Sequence, residues 1–180
     1  LPDAGEVRVF GQSTASIADS AEWLGVVDRF GLVSARAVLL EPLSVVQNLA
    51  MPFSLDIEPP SPALRERAVA VAVEVGLPER TWDQPVASLG AEGKLRIRLG
   101  RAVALDPAIL VLEHPSEGLD RASVAEIARD IRAVAGARRA SALTLTADAE
   151  FADHAASRVL TFEPASGNLL PQRRRWWQQK

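Results

Sequence analysis

Four successive apolar residues, Ile109-Leu110-Val111-Leu112, constrain this chain more than any other feature. A strand that is apolar on both faces has to be covered on both, which predicts a central strand with helices on each side of its sheet. Further β-type runs fall at residues 6–10, 31–34, 142–146 and 158–162, with helical stretches between most of them. Such alternation predicts an α/β fold with a largely parallel sheet.

The helical stretches are readable from their punctuation. Pro59-Pro60-Ser61-Pro62 is a stiff entry to a segment over 62–75 whose apolar residues Leu64, Val69, Val71, Val73 and Val75 sit among charges, and Gly76 supplies a stop. Leu77-Pro78 and Gln84-Pro85 then mark a loop-rich exit. Further helices are expected over 93–104 and 121–134.

Composition narrows the function classes. With 180 residues, 48% hydrophobic and 24% charged, the chain has the proportions of one globular domain with a real core. The absence of cysteine excludes disulfides, thiolate zinc sites and cysteine nucleophiles. A formal net charge of −3 gives no reason to expect nucleic acid as a partner. No apolar run reaches the roughly 18 residues needed to cross a bilayer, so any membrane link is expected to be peripheral. The chain opens at Leu1 with no initiator Met and reads as a fragment or a trimmed form. At the other end, Arg173-Arg174-Arg175-Trp176-Trp177 joins three cations to two indoles, suited to a membrane interface or an acidic partner; an unpacked terminus is the plainer reading.

The segment 88–120, SLGAEGKLRIRLGRAVALDPAILVLEHPSEGLD, is similar to the stretch of ABC ATPases that runs from L-S-G-G-Q through A-R-A, L-D-P and D-E-P to S-A-L-D. Arg96, Arg101-Ala102, Leu105-Asp106-Pro107, Pro115 and Leu119-Asp120 match it without a gap. Residues 31–35 and 43–52 resemble the family's Q-loop region, G-F-V-F-Q followed by L-T-V-x-E-N-V-A-L-P, in the form closest to lipoprotein-release and macrolide-export cassettes. Leu145-Thr146-Ala147-Asp148 and Ala156 to Leu160 resemble T-H-D and A-D-R-V-L, and Pro2 to Val7 resembles P-D-S-G-E-V. The resemblance implies a P-loop NTPase-like domain over 1–170 with a helical subdomain at about 60–90, entered after its phosphate-binding loop, and a basic, aromatic tail over 171–180. It also implies ATP and Mg²⁺ as cofactors, a transmembrane permease subunit as partner, pairing with a second ABC ATPase domain, and a cytoplasmic place at the inner face of the cell membrane.

Position by position, the resemblance implies a degenerate site. The phosphate loop G-x-x-x-x-G-K-S/T does not occur within residues 1–180. Glu113 matches the aspartate that orders Mg²⁺, and His114 the glutamate that polarises the attacking water. Ala35 matches the Q-loop glutamine and Ala147 the switch histidine, so two hydrogen-bonding groups are missing. In the signature, Gly90, Ala91 and Glu92 replace S-G-G, removing a hydroxyl and adding a carboxylate where a γ-phosphate would sit. Asp120 is retained, either for contact with the partner domain or as a helix N-cap. Three readings follow: a non-hydrolysing subunit kept for docking or regulation; an active ATPase whose phosphate loop lies upstream of Leu1, or which works in an asymmetric pair; and a soluble ABC-fold regulator with no membrane partner.

Overall fold

The structure is a computed structural model that describes residues 4–172; Arg173 to Trp177 lie outside the described residues. Its centre is a three-stranded parallel sheet, β3 (Phe30–Ser34), β4 (Ile109–Glu113) and β5 (Ser141–Leu145), in the order β3-β4-β5. The all-apolar run is therefore the middle strand. Two short antiparallel hairpins stand outside this sheet, β1 (Arg8–Val9) with β2 (Gln12–Ser13) and β6 (Leu160–Glu163) with β7 (Asn168–Pro171).

Among the described residues there are six α-helices, α1 (Ser20–Val27), α2 (Val45–Ala50), α3 (Pro62–Glu74), α4 (Ala91–Val103), α5 (Arg121–Ala137) and α6 (Ala149–Ala155), and three single 3-10 turns at Thr14–Ser16, Glu79–Thr81 and Val86–Ser88. Helix α3 starts where Ser61 caps the Leu64 amide at 3.3 Å and Pro62 supplies a preset φ. It stops at Gly76, whose φ of +73° suits a residue without a side chain. Helix α2 opens on a reciprocal capping box, with Ser44 and Gln47 each bonding the other's backbone amide. Helix α3 packs on α2 and α4, while α4 lies against β3 and α5 against β5.

One buried cluster joins these elements. Leu110 and Leu112 of β4, Leu49 of α2 and Ile97 of α4 are all fully buried, together with Val124 of α5 and Phe151 of α6. The expectation that β4 is covered equally on both faces needs correcting. Leu110 and Leu112 face the helices, whereas Val111 points the other way between Leu32 and Leu143, both 56% exposed. An alternating pleat assigns successive residues to opposite faces, so an all-apolar strand states only that both faces tolerate apolar neighbours. The run at 158–162 is corrected too: as β6 it pairs with β7 across a turn at Gly167 instead of extending the parallel sheet.

Asn48 ties the loop after β3 to the core. It is fully buried, accepts a hydrogen bond from the Leu40 amide at 2.9 Å and donates to the carbonyls of Leu40 and Ser44 at 2.9 and 3.0 Å. Asn48→Ala takes the partner from the Leu40 amide, while the Leu40 and Ser44 carbonyls keep their backbone bonds from Leu43 and from residue 48, so about 1–2 kcal/mol of stability is expected to be lost. Urea unfolding of the variant checks this.

Candidate functional site

Parallel pairing in register brings the motif positions together. Ser34, Glu113 and Leu145 end the three strands on one row. The next residues, Ala35, His114 and then Thr146-Ala147, emerge side by side at the carboxyl edge of the sheet, the edge at which open α/β sheets place their ligands. Two cavities meet there. An open cleft of about 710 Å³ is lined by His114, Ser116, Arg121, Ala147 and Asp148, and a smaller one of about 160 Å³ by Ser34, Ala35, Ala91, Lys94, Glu113 and His114.

Glu113 is the most constrained group at this edge. Its Oε2 accepts a hydrogen bond from Ser34 Oγ at 2.7 Å, and its Oε1 lies 3.6 Å from Arg36 Nη2. The Ser34 hydroxyl first, and the Arg36 guanidinium second, hold the carboxyl below the usual carboxylate range. Because the folded value is the lower one, stability from these contacts is present above the unfolded-state value and is lost as pH falls through the folded one.

The other positions are placed as follows. His114 has φ +46°, in the left-handed region that non-glycine residues seldom occupy, and its amide donates to Leu145 O at 2.8 Å, fastening the end of β4 to the end of β5. Ala35 and Ala147 are exposed and present methyl groups at the cavity walls. Gly90 caps α4 without a side chain and Ala91 is its first residue, while Glu92 bonds Arg96 Nε at 3.0 Å one turn on. Asp120 stands at the N-cap of α5, but its side chain makes no capping hydrogen bond. At the far wall, Asp148 caps α6 through the Phe151 amide and pairs with Arg121 at 2.6 Å.

Sequence reasoning missed Ser34, Arg36, Arg98 and Arg121. Arg98 donates to the carbonyls of Ala35 and Ala37 at 3.3 and 3.2 Å, and Arg101 to that of Val38 at 2.7 Å, so α4 holds the 35–38 loop from below. The available signal was a cation directly after Ala35 and another within α4; their targets lie 61 to 77 residues away in sequence, beyond any local pattern.

A βαβ sheet with polar groups collected at its carboxyl edge defines the α/β class to which P-loop NTPase-like domains belong. No protein-family model matches the chain. In fold it is similar to a bacterial ABC transporter cassette solved as a dimer, with TM-score 0.70 and 22% identity over 88% of this chain and 69% of that one. The same holds for cbiO1 of Clostridium perfringens, part of the cbiONQ ABC transporter complex, with TM-score 0.72 and 18% identity over 88% and 62%. In sequence it is 34% identical over 170 residues to the lipoprotein-releasing system ATP-binding protein LolD of Maricaulis maris, covering 94% of this chain and 72% of that protein. The LolD of Chromohalobacter salexigens is 28% identical over 85% of this chain and 64% of its own length. The chain belongs to the ATP-binding subunits of ABC transporters.

That family uses ATP and Mg²⁺. The residues at the metal position here do not fit the ion. Mg²⁺ takes oxygen ligands at about 2.0–2.1 Å in octahedral array, several of them waters held by one or two carboxylates, whereas both oxygens of Glu113, the carboxylate that the resemblance matches to this role, already face partners within this chain. Among the described residues no group of three or more His, Cys, Asp or Glu is arranged to hold a metal.

Proposed function

We propose that this chain is an ABC transporter ATP-binding-type subunit that does not hydrolyse ATP and serves a docking or regulatory role beside a membrane permease. The carrying observation is the carboxyl edge of the sheet. Glu113 is engaged by Ser34 and Arg36, His114 stands beside it, and Ala35 and Ala147 offer only methyl groups to the cavities. Phosphoryl transfer depends on positioning and charge stabilisation, and one lost donor costs about 10²–10³ in rate. Gly90 leaves the signature position without a hydroxyl, and Glu92, paired with Arg96 one turn on, adds a carboxylate to the first turn of the helix.

A docking role is supported by the surface beside the 35–38 loop. Val38 and Leu55 are 75% and 85% exposed, and a cleft of about 390 Å³ is lined by Leu32, Met51, Leu55 and Arg101. Exposed apolar side chains rimmed by cations suit a short amphipathic segment of a membrane protein. On this reading the helices at 60–90 act as a subdomain facing the permease, and Asp120 faces a second ABC ATPase domain. The chain then sits peripherally on the cytoplasmic side of the cell membrane. Among the described residues no helix is long and apolar enough to cross a bilayer.

The test is calorimetry with Mg-ATP beside a phosphate-release assay. No heat at micromolar nucleotide and phosphate release equal to buffer are expected. Micromolar binding, or turnover abolished by His114→Ala, would overturn the reading. Crosslinkers placed at Val38 and Leu55 should capture a permease; capture only through a distant surface counts against the docking face.

A further inference from the structure

We infer that Arg36 is the resident cation of Glu113, a tethered guanidinium that takes the counter-charge role of a divalent metal and keeps such a metal out. The inference deepens the non-hydrolysing reading and shares its Glu113 contacts with Ser34 and Arg36, but it is tested by metal binding without nucleotide and can fail separately.

The local backbone builds the pair. Ser34 lies opposite Glu113 in the β3–β4 register, and its hydroxyl works in two directions, donating to Glu113 Oε2 at 2.7 Å and accepting from the Arg36 amide at 3.2 Å. The Ala37 amide closes the same turn onto the Ser34 carbonyl at 3.0 Å. This turn carries the chain over the end of β4, and Arg98 and Arg101 pin the carbonyls of Ala35, Ala37 and Val38 from α4. The Arg36 side chain, springing from the middle of that pinned loop, brings Nη2 to 3.6 Å from Glu113 Oε1. Each carboxylate oxygen thus has its own donor or cation, one a hydroxyl held by the strand and the other an exposed charge carried on the pinned loop.

The pair's exposure decides what it does. The Arg36 side chain is 87% exposed and that of Glu113 30%, and ion pairs in such surroundings add little to folding stability. A guanidinium cannot lose its proton at accessible pH, so its charge is permanent. An approaching dication therefore meets a like charge beside the Glu113 carboxylate, and would have to displace the Ser34 hydroxyl as well. The expected signature is a change in metal binding without a change in stability.

The experiment titrates Mn²⁺ into the nucleotide-free chain and reads bound ion by electron paramagnetic resonance, for the wild type, Arg36→Gln, Arg36→Lys, Glu113→Gln and the double variant Arg36→Gln/Glu113→Gln. Wild type, Arg36→Lys and Glu113→Gln are expected to show the same weak background. Arg36→Gln is expected to gain about tenfold in Mn²⁺ affinity, a gain lost in the double variant. Urea midpoints of wild type and Arg36→Gln are expected to coincide, which separates exclusion of the ion from a structural role. Glu113-dependent Mn²⁺ binding by the wild type, or no gain in Arg36→Gln, overturns the inference. Neither result touches the ATP assays, since no nucleotide is present.

Discussion

Gly31→Ala is expected to destabilise the chain by about 3 kcal/mol, the upper end for overpacking a close-packed interior. Gly31 lies in β3 beneath α4, and a Cβ there would fall on the Ala102 carbonyl oxygen and 2.7 Å from Leu110 Cδ2. A side chain can rotate away, but the Ala102 carbonyl is backbone inside α4, so relief requires the helix to lift from the sheet. The same helix carries Arg98 and Arg101, which pin the 35–38 loop. Loss of stability should therefore be accompanied by loosening of that loop. Urea denaturation gives the first quantity, and amide hydrogen exchange at Ala37, whose amide bonds Ser34 O, gives the second. A variant as stable as the parent would show that α4 and β3 are not in this close contact.

Arg96→Ala carries the second large effect, an expected loss of about 2–3 kcal/mol. Arg96 is buried in α4 and spans three elements. Its Nη1 donates to Val75 O at the end of α3 at 2.7 Å, its Nη2 to Asp130 of α5 at 2.7 Å, and its Nε to Glu92. The two carboxylates are 47% and 41% exposed and rehydrate when the cation is removed. The cost is therefore set by the orphaned Val75 carbonyl and the lost packing of the arginine stem. Arg96→Lys is expected to lose roughly half as much, because an ammonium keeps a charge but cannot span three acceptors at fixed angles. Thermal and urea unfolding of both variants checks the order.

Legibility in the sequence follows the range of the force involved. The capped start of α3 at Ser61-Pro62 and its stop at Gly76 are local backbone chemistry and were readable to within a residue or two. The short helices α1, α2 and α6 were not. Each has eight residues or fewer, too short for a 3.6-residue period to show, and α6 is held largely by Phe151 reaching the core. The hairpin β6–β7 was read only as another strand, since apolar alternation says that a segment is extended and is silent on which neighbour it joins.

The sequence by itself determined that β4 is the middle strand, and by its resemblance to ATP-binding subunits it matched Ala35, His114 and Ala147 to positions where that family keeps polar side chains. Both are properties of residue identity and spacing, which survive without coordinates. Only the tertiary structure decided that Ser34 and Arg36 take the two oxygens of Glu113, that α4 pins the loop between them, and that Asp120 makes no capping bond. Such contacts join residues tens of positions apart, and whether a side chain meets its partner depends on register, turn geometry and helix packing acting together, none of which a linear pattern encodes.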